Sequence, residues 1–343
     1  MLAEKHDPGT DPSYIYDLLI GYWKSGILKA AIELDVFSRI ATGANTVEQL
    51  ARECGVKERG MQVLLDSLCG LRLLGKGPDR YRLHPLAQHV LVKGAPSYIG
   101  GAIQAFVLSE DWDVMGRIGQ AIREGRPLVK QGAREPNSWE NIAMGLFPLG
   151  MQVGQIMCDM LGIKPGTATG RRVLDIACGS GAYGYSILQR DRTATVTDFD
   201  LENVLTVAAA VARDLGVADR VVYQPGNIEN PYFEKNAFDI AIISHILQGY
   251  DPPGIQMILN HIGEALRPGG MLVIHEFVPD EERSEKSLPL LFAMFMFVVT
   301  PGGGTYTFSE YSEWLAAAGF EHPMLKDLPT QTSLIMAQKK KQQ

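Results

Sequence analysis

Little in this sequence points outside soluble, reduced surroundings. Its longest apolar run, 288–299, contains Pro289 and is shorter than the ~20 residues that cross a bilayer, so it reads as a buried helix or a pocket wall. Residues 1–10 are polar and lack the apolar centre of a signal peptide. The four cysteines, Cys54, Cys69, Cys158 and Cys178, are widely separated and form no metal-type pair, which fits free thiols in the cytoplasm and no bound metal. Positive charge is not in excess. With 32 Lys and Arg against 39 Asp and Glu the net charge is −7, which disfavours adhesion to nucleic acid or to an anionic membrane. The tail Lys339-Lys340-Lys341 is too short to change that and is expected to be a solvated end. What is left is a chain of 343 residues, 46% apolar and 21% charged, long enough for two cores.

The stretch that organises the chain is 173–184, V-L-D-I-A-C-G-S-G-A-Y-G. A short apolar run with an acidic residue, then a glycine-rich turn, then a helical pattern is the sequence form of a strand-turn-helix unit that holds a nucleoside cofactor. Gly179 and Gly181 lack side chains that would keep a ligand off the backbone, and the next helix begins with unpaired N–H groups. Gly179, Gly181 and Gly184 also satisfy G-x-G-x-x-G, so a dinucleotide competes. Asp175 separates the two readings. A carboxylate beside the turn repels a pyrophosphate but attracts the sulfonium and ammonium of S-adenosylmethionine (SAM).

Upstream, apolar residues recur at helical spacing over 12–34, more than one small unit needs for its own core, and this suits burial against a second subunit. Thr46 and Gln49 form a capping-box pattern, Gly55 marks a turn, and 58–71 is a second helix, which together give helix-turn-helix geometry. Residues 74–83 supply two short strands around a turn, a wing. The second helix carries few basic side chains for phosphates or base edges, so a DNA-binding regulator is the weaker reading. Residues 98–161 read as a helical connector, with Trp139, Phe147 and Met151 among its large apolar side chains. From Arg171 onward strands over 173–176, 194–197, 220–223, 238–243 and 271–277 alternate with helical patterns, and a last strand follows Gly319-Phe320. The expected fold class is α/β, a mostly parallel, Rossmann-like sheet covered on both faces and preceded by a helical winged-helix domain. The expected divisions are 1–95, 96–165 and 166–343.

Four elements carry a family resemblance: L-D-I-A-C-G-S-G (174–181), D-L-E-N-V-L (200–205), P-G-N-I (225–228) and E-A-L-R-P-G-G-M-L-V-I (264–274). Their order and spacing resemble class I SAM-dependent methyltransferases. With the upstream segment, the chain resembles the small-molecule O-methyltransferases with an N-terminal winged-helix dimerisation domain, of the caffeate, acetylserotonin and hydroxyneurosporene type. The resemblance implies a homodimer that binds SAM and releases S-adenosylhomocysteine. It implies cofactor contacts at Asp175, Gly179, Gly181, Asp200, Leu201, Asn227, Ile228 and Ser244, with Asp200 on the ribose, Asp198 its fallback, and Asn227 near the adenine amine. It places Trp139, Phe147, Met151, Tyr250, Phe292, Met296 and Tyr306 on the acceptor side, and the aromatic and Met content of 290–299 suggests a flat, hydrophobic acceptor, aromatic or polyketide-like.

One departure matters for the chemistry. The family's histidine base aligns with Gln248, whose carboxamide cannot take up a proton at useful pH. The supporting glutamate survives as Glu276, while Thr305 stands for a second one. Three explanations stay open. Positioning and desolvation suffice for an acidic hydroxyl oriented by Gln248 and Tyr306, which is the expectation adopted here; or the acceptor is a carbon or nitrogen, giving a C- or N-methyltransferase; or His245 serves as the base. An NAD-dependent oxidoreductase is the remaining enzymatic alternative.

Overall fold

A computed structural model describes residues 9–95, 97–102, 109–129 and 138–341. Residues 103–108 and 130–137 of the expected connector, and nearly all of the polar opening segment, lie outside them. The chain divides into two units, Met1–Val107 and Leu108–Gln343.

In the first unit, Thr46 and Gln49 close the expected capping box on helix Val47–Cys54, and Gly55 ends that helix at φ +67°. Helix Glu58–Gly70 follows the turn. Then β1 (Leu74–Lys76) and β2 (Tyr81–Leu83) pair antiparallel. The Tyr81 hydroxyl and the Lys76 ammonium both donate to the Asp66 carboxylate, at 2.8 and 2.6 Å, so the ribbon is tied to the second helix. Phe37, Leu50, Met61, Leu65 and Leu68 form the centre of this unit's core. Helix Ser13–Leu19 buries none of its residues. Together with the start of helix Gly21–Glu33 it shows Ile15, Tyr16, Leu18, Leu19, Tyr22 and Trp23, each more than half exposed.

The second unit is built on a seven-stranded sheet. Its strands are β3 (Arg172–Ile176), β4 (Thr195–Asp200), β5 (Val221–Pro225), β6 (Phe238–Ser244), β7 (Leu266–Glu276), β8 (Phe320–Asp327) and β9 (Ser333–Lys339). Their order is β5-β4-β3-β6-β7-β9-β8. The first five run parallel, and β9 lies antiparallel between β7 and β8. Side chains alternate along each central strand: Leu174, Ile176, Ala241, Ile243, Leu272 and Ile274 enter one apolar layer, and Val173, Ile240, Ile242 and Val273 the other. Both faces are buried, as a parallel sheet requires. β9 is the strand that sequence reading missed, since only one strand was expected after Gly319. It also corrects the tail: Lys339 belongs to β9, and its ammonium donates to the Gly263 carbonyl instead of standing in solvent.

Helix Ser138–Met160 crosses helix Ala182–Arg190 at close range. Gly150 and Gly154 are one turn apart on the contact face. A methyl group on Gly150 would come within 2.9 Å of the Ala182 Cβ, and one on Gly154 would overlap the Ser186 side chain. The missing side chains let the connector helix lie against the helix that leaves the glycine turn. On that same helix Met151 Sδ lies 3.8 Å from the Ser186 hydroxyl and Phe147 packs on the core.

Candidate functional site

The carboxyl ends of β3, β4, β6 and β7 carry Asp175, Gly179, Gly181, Asp200, Leu201, Ser244, His245, Gln248 and Glu276 of the residues singled out from sequence, whereas Asn227 and Ile228 follow β5 and Trp139, Phe147, Met151, Phe292, Met296 and Tyr306 belong to helices or loops. The turn after β3 needs left-handed backbone at three places: Ala177 at φ +51°, Gly179 at +58° and Gly181 at +74°. The glycines differ in what they allow. A Cβ on Gly181 would overlap the ring of Tyr185, whereas one on Gly179 would meet only the Ala143 Cβ at 3.6 Å. Gly181 is thus required by packing, and Gly179 is the glycine whose free side a ligand can approach. Gly184 serves close helix-to-strand packing, since a Cβ there would lie 2.9 Å from Val196 and 3.0 Å from the Asp175 carboxylate.

Three carboxylates surround this turn. Parallel register sets Asp175 beside Asp198 on β3 and β4. Asp175 is buried and accepts the Gly184 N–H at 2.9 Å, so it stabilises the turn from beneath and does not face a ligand directly. Asp198 is fully buried, with one oxygen accepting from the Tyr185 hydroxyl and the other without a partner. Asp200 is half-buried and accepts from the Gly179 N–H at 2.8 Å and the Leu201 N–H at 2.7 Å. Burial raises all three above the ordinary carboxylate range. Asp198 reaches about 7 from burial with the Asp200 charge added, and Asp175 is raised by burial and then by Asp198. Among the described residues no cation acts on this cluster.

At the end of β6, His245 turns the chain with φ +55°, and its N–H donates to the His275 carbonyl at 2.9 Å. Its Nδ1 faces Glu276 Oε2 at 3.8 Å, and neither atom has another partner. Glu276 is fully buried, and its other oxygen accepts the Leu247 N–H at 2.9 Å. Burial pushes Glu276 up to about 8 and His245 down to about 4. The His245 ring stands edge-on to His275 at 4.4 Å and beside Phe277 at 5.0 Å, and Phe277 stacks on Phe292 at 4.2 Å. Phe292 belongs to the apolar helix Ser287–Val299. His275 is itself buried, with Nδ1 shared by the hydroxyls of Tyr183 (2.8 Å) and Ser244 (3.2 Å) and Nε2 bonded to Thr332 (2.7 Å).

Residues 156–321 match the family described as O-methyltransferase domain, and residues 16–93 the O-methyltransferase dimerisation domain. The chain belongs to the O-methyltransferase family. It is 29% identical to the 3-hydroxy-5-methyl-1-naphthoate 3-O-methyltransferase of Streptomyces sahachiroi, over 90% of this chain and 89% of that one. It is 25% identical to the tetracenomycin polyketide synthesis 8-O-methyl transferase of Streptomyces glaucescens, over 90% of this chain and 91% of that one. The crystal structure of human N-acetylserotonin methyltransferase in complex with SAM superposes with a TM-score of 0.84, covering 99% of this chain and all of that chain, at 21% identity. That last likeness concerns the fold.

Several expected roles change once the partners are visible. Glu276 is sealed and reaches His245 and the 246–248 turn, so its contact is with the protein and not with an acceptor. Gln248 is 8% exposed; its amide nitrogen donates weakly to the His245 carbonyl at 3.3 Å and its amide oxygen is sealed. It does not present a hydrogen-bonding group to the open site. Tyr306 does not orient a substrate through its hydroxyl, which donates to the Tyr250 carbonyl at 2.7 Å, while its ring packs edge-on to Trp314. Thr305, standing for the second glutamate, is buried and bonded to the Pro289 carbonyl at 3.1 Å. Asn227 uses its amide oxygen in its own turn, accepting the Glu229 N–H at 3.0 Å. Ser244 has its hydroxyl on His275. Leu201 is exposed beside Asp200, Ile228 and Tyr250 are half-buried, Met296 is buried, and Trp139 stands nearly half in solvent at the start of its helix. His275 and Tyr183 are the polar residues sequence reading missed. A histidine directly after the apolar run 271–274 was the available signal.

Proposed function

We propose that this chain transfers a methyl group from SAM to a hydroxyl of a small, largely apolar acceptor of aromatic or polyketide type. The observation that carries the reading is the set of three carboxylates around the glycine turn, Asp175 and Asp198 raised by burial and by neighbouring carboxylates and Asp200 raised by burial. A cationic nucleoside relieves that repulsion, whereas a pyrophosphate adds to it. The residues fit such a ligand. Gly179 leaves room at the backbone, Asp200 can accept from ribose hydroxyls, and Leu201, Asn227 and Ile228 border the place for an adenine. When bound, SAM supplies an electrophilic methyl group.

The chain's own part is first to align the acceptor and keep the site dry, which is worth up to ~7–11 kcal/mol in a near-attack arrangement. Gln248 takes no proton there. Phe292 and its helix offer the apolar wall, and the naphthoate and polyketide acceptors in the relatives' names support a flat ring system. The exposed apolar face of 15–23 supports pairing with a second copy through the N-terminal unit, within the part that matches the dimerisation domain. Calorimetry with SAM, S-adenosylhomocysteine, NAD and NADP tests the cofactor: the two sulfur nucleosides bind and the nicotinamides do not. Saturation by NAD with no heat from either sulfur nucleoside would refute it.

A further inference from the structure

Gln248 stands where the family keeps its base, yet the site contains an imidazole with the surroundings that a base needs. His245 Nδ1 is sealed, has no hydrogen-bond partner and lies 3.8 Å from the equally unpartnered Glu276 Oε2, while the Gln248 amide is the other polar group against the ring. About a fifth of the side chain is nevertheless exposed. Nε2, unlike Nδ1, is not among the sealed and unpartnered side-chain atoms, so it is the ring nitrogen open to a ligand. A carboxyl group behind one nitrogen and an open edge at the other is the arrangement that orients a general base.

The ring also occupies the right junction. On one side it meets His275, which is bonded to Tyr183 of the helix leaving the glycine turn. On the other it meets Phe277 and, through it, Phe292 of the apolar wall. His245 is therefore between the proposed cofactor place and the proposed acceptor place. Its left-handed backbone, at φ +55°, is a strained conformation for a histidine and is kept where the ring has to be aimed.

Resting on the methyl-transfer reading above, we propose that His245, held by Glu276 through Nδ1, takes the acceptor's proton at Nε2, three residues upstream of the family's usual position. The acceptor's O–H bond breaks and its electron pair stays on oxygen. That oxygen bonds to the methyl carbon, the carbon–sulfur pair stays on sulfur, and the proton rests on His245 opposite the Glu276 carboxylate. Gln248, beneath the ring, acts as a positioning residue through the His245 carbonyl.

The arrangement has its own pH signature. The groups around Glu276 and His245 are His275, Tyr183 of helix Ala182–Arg190, Tyr311 of helix Phe308–Ala317 and Gln248, none of them a cation. With burial holding Glu276 near 8, its carboxylate forms only as pH rises through that value, and the ionised carboxylate then makes the imidazole a better base. Turnover on a hydroxyl acceptor accordingly rises with pH through about 8.

Two measurements test this. In the free protein labelled with 15N-histidine, the His245 ring nitrogens shift with an inflection near pH 8 that Glu276→Gln abolishes. No inflection, or one unchanged in Glu276→Gln, overturns the proposal whether or not an acceptor has been found. In methyl-transfer assays with 2-naphthol and with 4-nitrophenol, which is already ionised at pH 8, His245→Gln slows the naphthol about a hundredfold or more and the nitrophenol less than about tenfold. Equal losses on both phenols mean a structural role and overturn it. S-adenosylhomocysteine affinity in His245→Gln stays within about twofold of the wild type, on the scale where tenfold is 1.4 kcal/mol. A wild-type protein that does not bind S-adenosylhomocysteine overturns the methyl-transfer reading and this inference with it.

Discussion

The two glycines of the cofactor turn should fail in different ways when replaced by alanine. Gly181→Ala places a side chain at φ +74°, a left-handed conformation that costs an L-residue about 1–2 kcal/mol. Its Cβ would also overlap the Tyr185 ring. Tyr185 cannot move freely, because it is fully buried and its hydroxyl is bonded to the Asp198 carboxylate and to the Ala208 carbonyl at 3.1 Å. Overpacking of that kind costs about 1–3 kcal/mol, and a broken buried hydrogen bond about 1–3 kcal/mol more. Gly181→Ala is expected to destabilise the second unit by about 3–8 kcal/mol, from the same terms. Gly179→Ala carries the same backbone cost at φ +58°, but its Cβ meets only Ala143, at the ordinary distance of 3.6 Å. Its loss should be about 1–2 kcal/mol in stability, with a cofactor affinity that falls further because the methyl group occupies the ligand's side. Urea unfolding followed by tryptophan fluorescence gives the first quantity and calorimetry with S-adenosylhomocysteine the second. Equal destabilisation by the two substitutions, or unchanged affinity in Gly179→Ala, would refute the division of labour.

Other consequences can be checked separately. A cation beside Asp198, which burial holds near 7, favours its ionised form, so SAM binding at pH 6.5 should release protons and tighten as pH rises through 7. Calorimetry in buffers of different ionisation heat measures this, and S-adenosylhomocysteine, whose sulfur is neutral, should release fewer; proton uptake would contradict the carboxylate argument. Tyr306→Phe leaves the Tyr250 carbonyl without its donor and should cost about 1–2 kcal/mol in urea unfolding, with no new inflection in the pH profile. Leu19→Glu puts a charge into the exposed apolar face and should shift the protein to a monomer in analytical ultracentrifugation while the second unit still binds S-adenosylhomocysteine.

Much of this architecture is legible in the residues because local chemistry and tertiary structure agree. The strand-turn-helix at 173–184, the Thr46 capping box and the alternating strands each satisfy a local rule that the fold keeps. β9 escaped because its partners are distant in sequence: Ser333–Lys339 is buried between β7 and β8 only through register with 271–276 and 320–327. Site residues were found by place more reliably than by role. Asn227 and Ser244 stand at or just past strand ends and Tyr306 in the loop before helix Phe308–Ala317, but each hydroxyl or amide oxygen has a protein partner that no spacing rule discloses. Gly181 is required by the bulk of Tyr185 four residues on, a contact that the fingerprint pattern does not distinguish from an approach by a ligand.

The two carboxylate oxygens of Glu276 have different surroundings. One carboxylate oxygen holds the Leu247 N–H, inside the turn that follows β6, and this bond is independent of the side chain at 248. Removing it would leave a buried backbone donor unpaired and release a turn that also receives the Gly304 N–H on the Gln248 carbonyl, at 2.9 Å. The clamp therefore requires an acceptor at position 276 whatever side chain stands at 248. The second oxygen is left over, and the nearest group able to use it is His245 at 3.8 Å. On this argument Glu276→Gln keeps the clamp through its amide oxygen and loses only the charge, so it should remain folded while removing the alkaline rise in turnover. Glu276→Ala should lose both, with a stability cost of about 1–3 kcal/mol for the orphaned donor in addition to the cavity. If Glu276→Gln were as unstable as Glu276→Ala, the clamp would depend on the charge, and the separation of the two oxygens' roles would have to be abandoned.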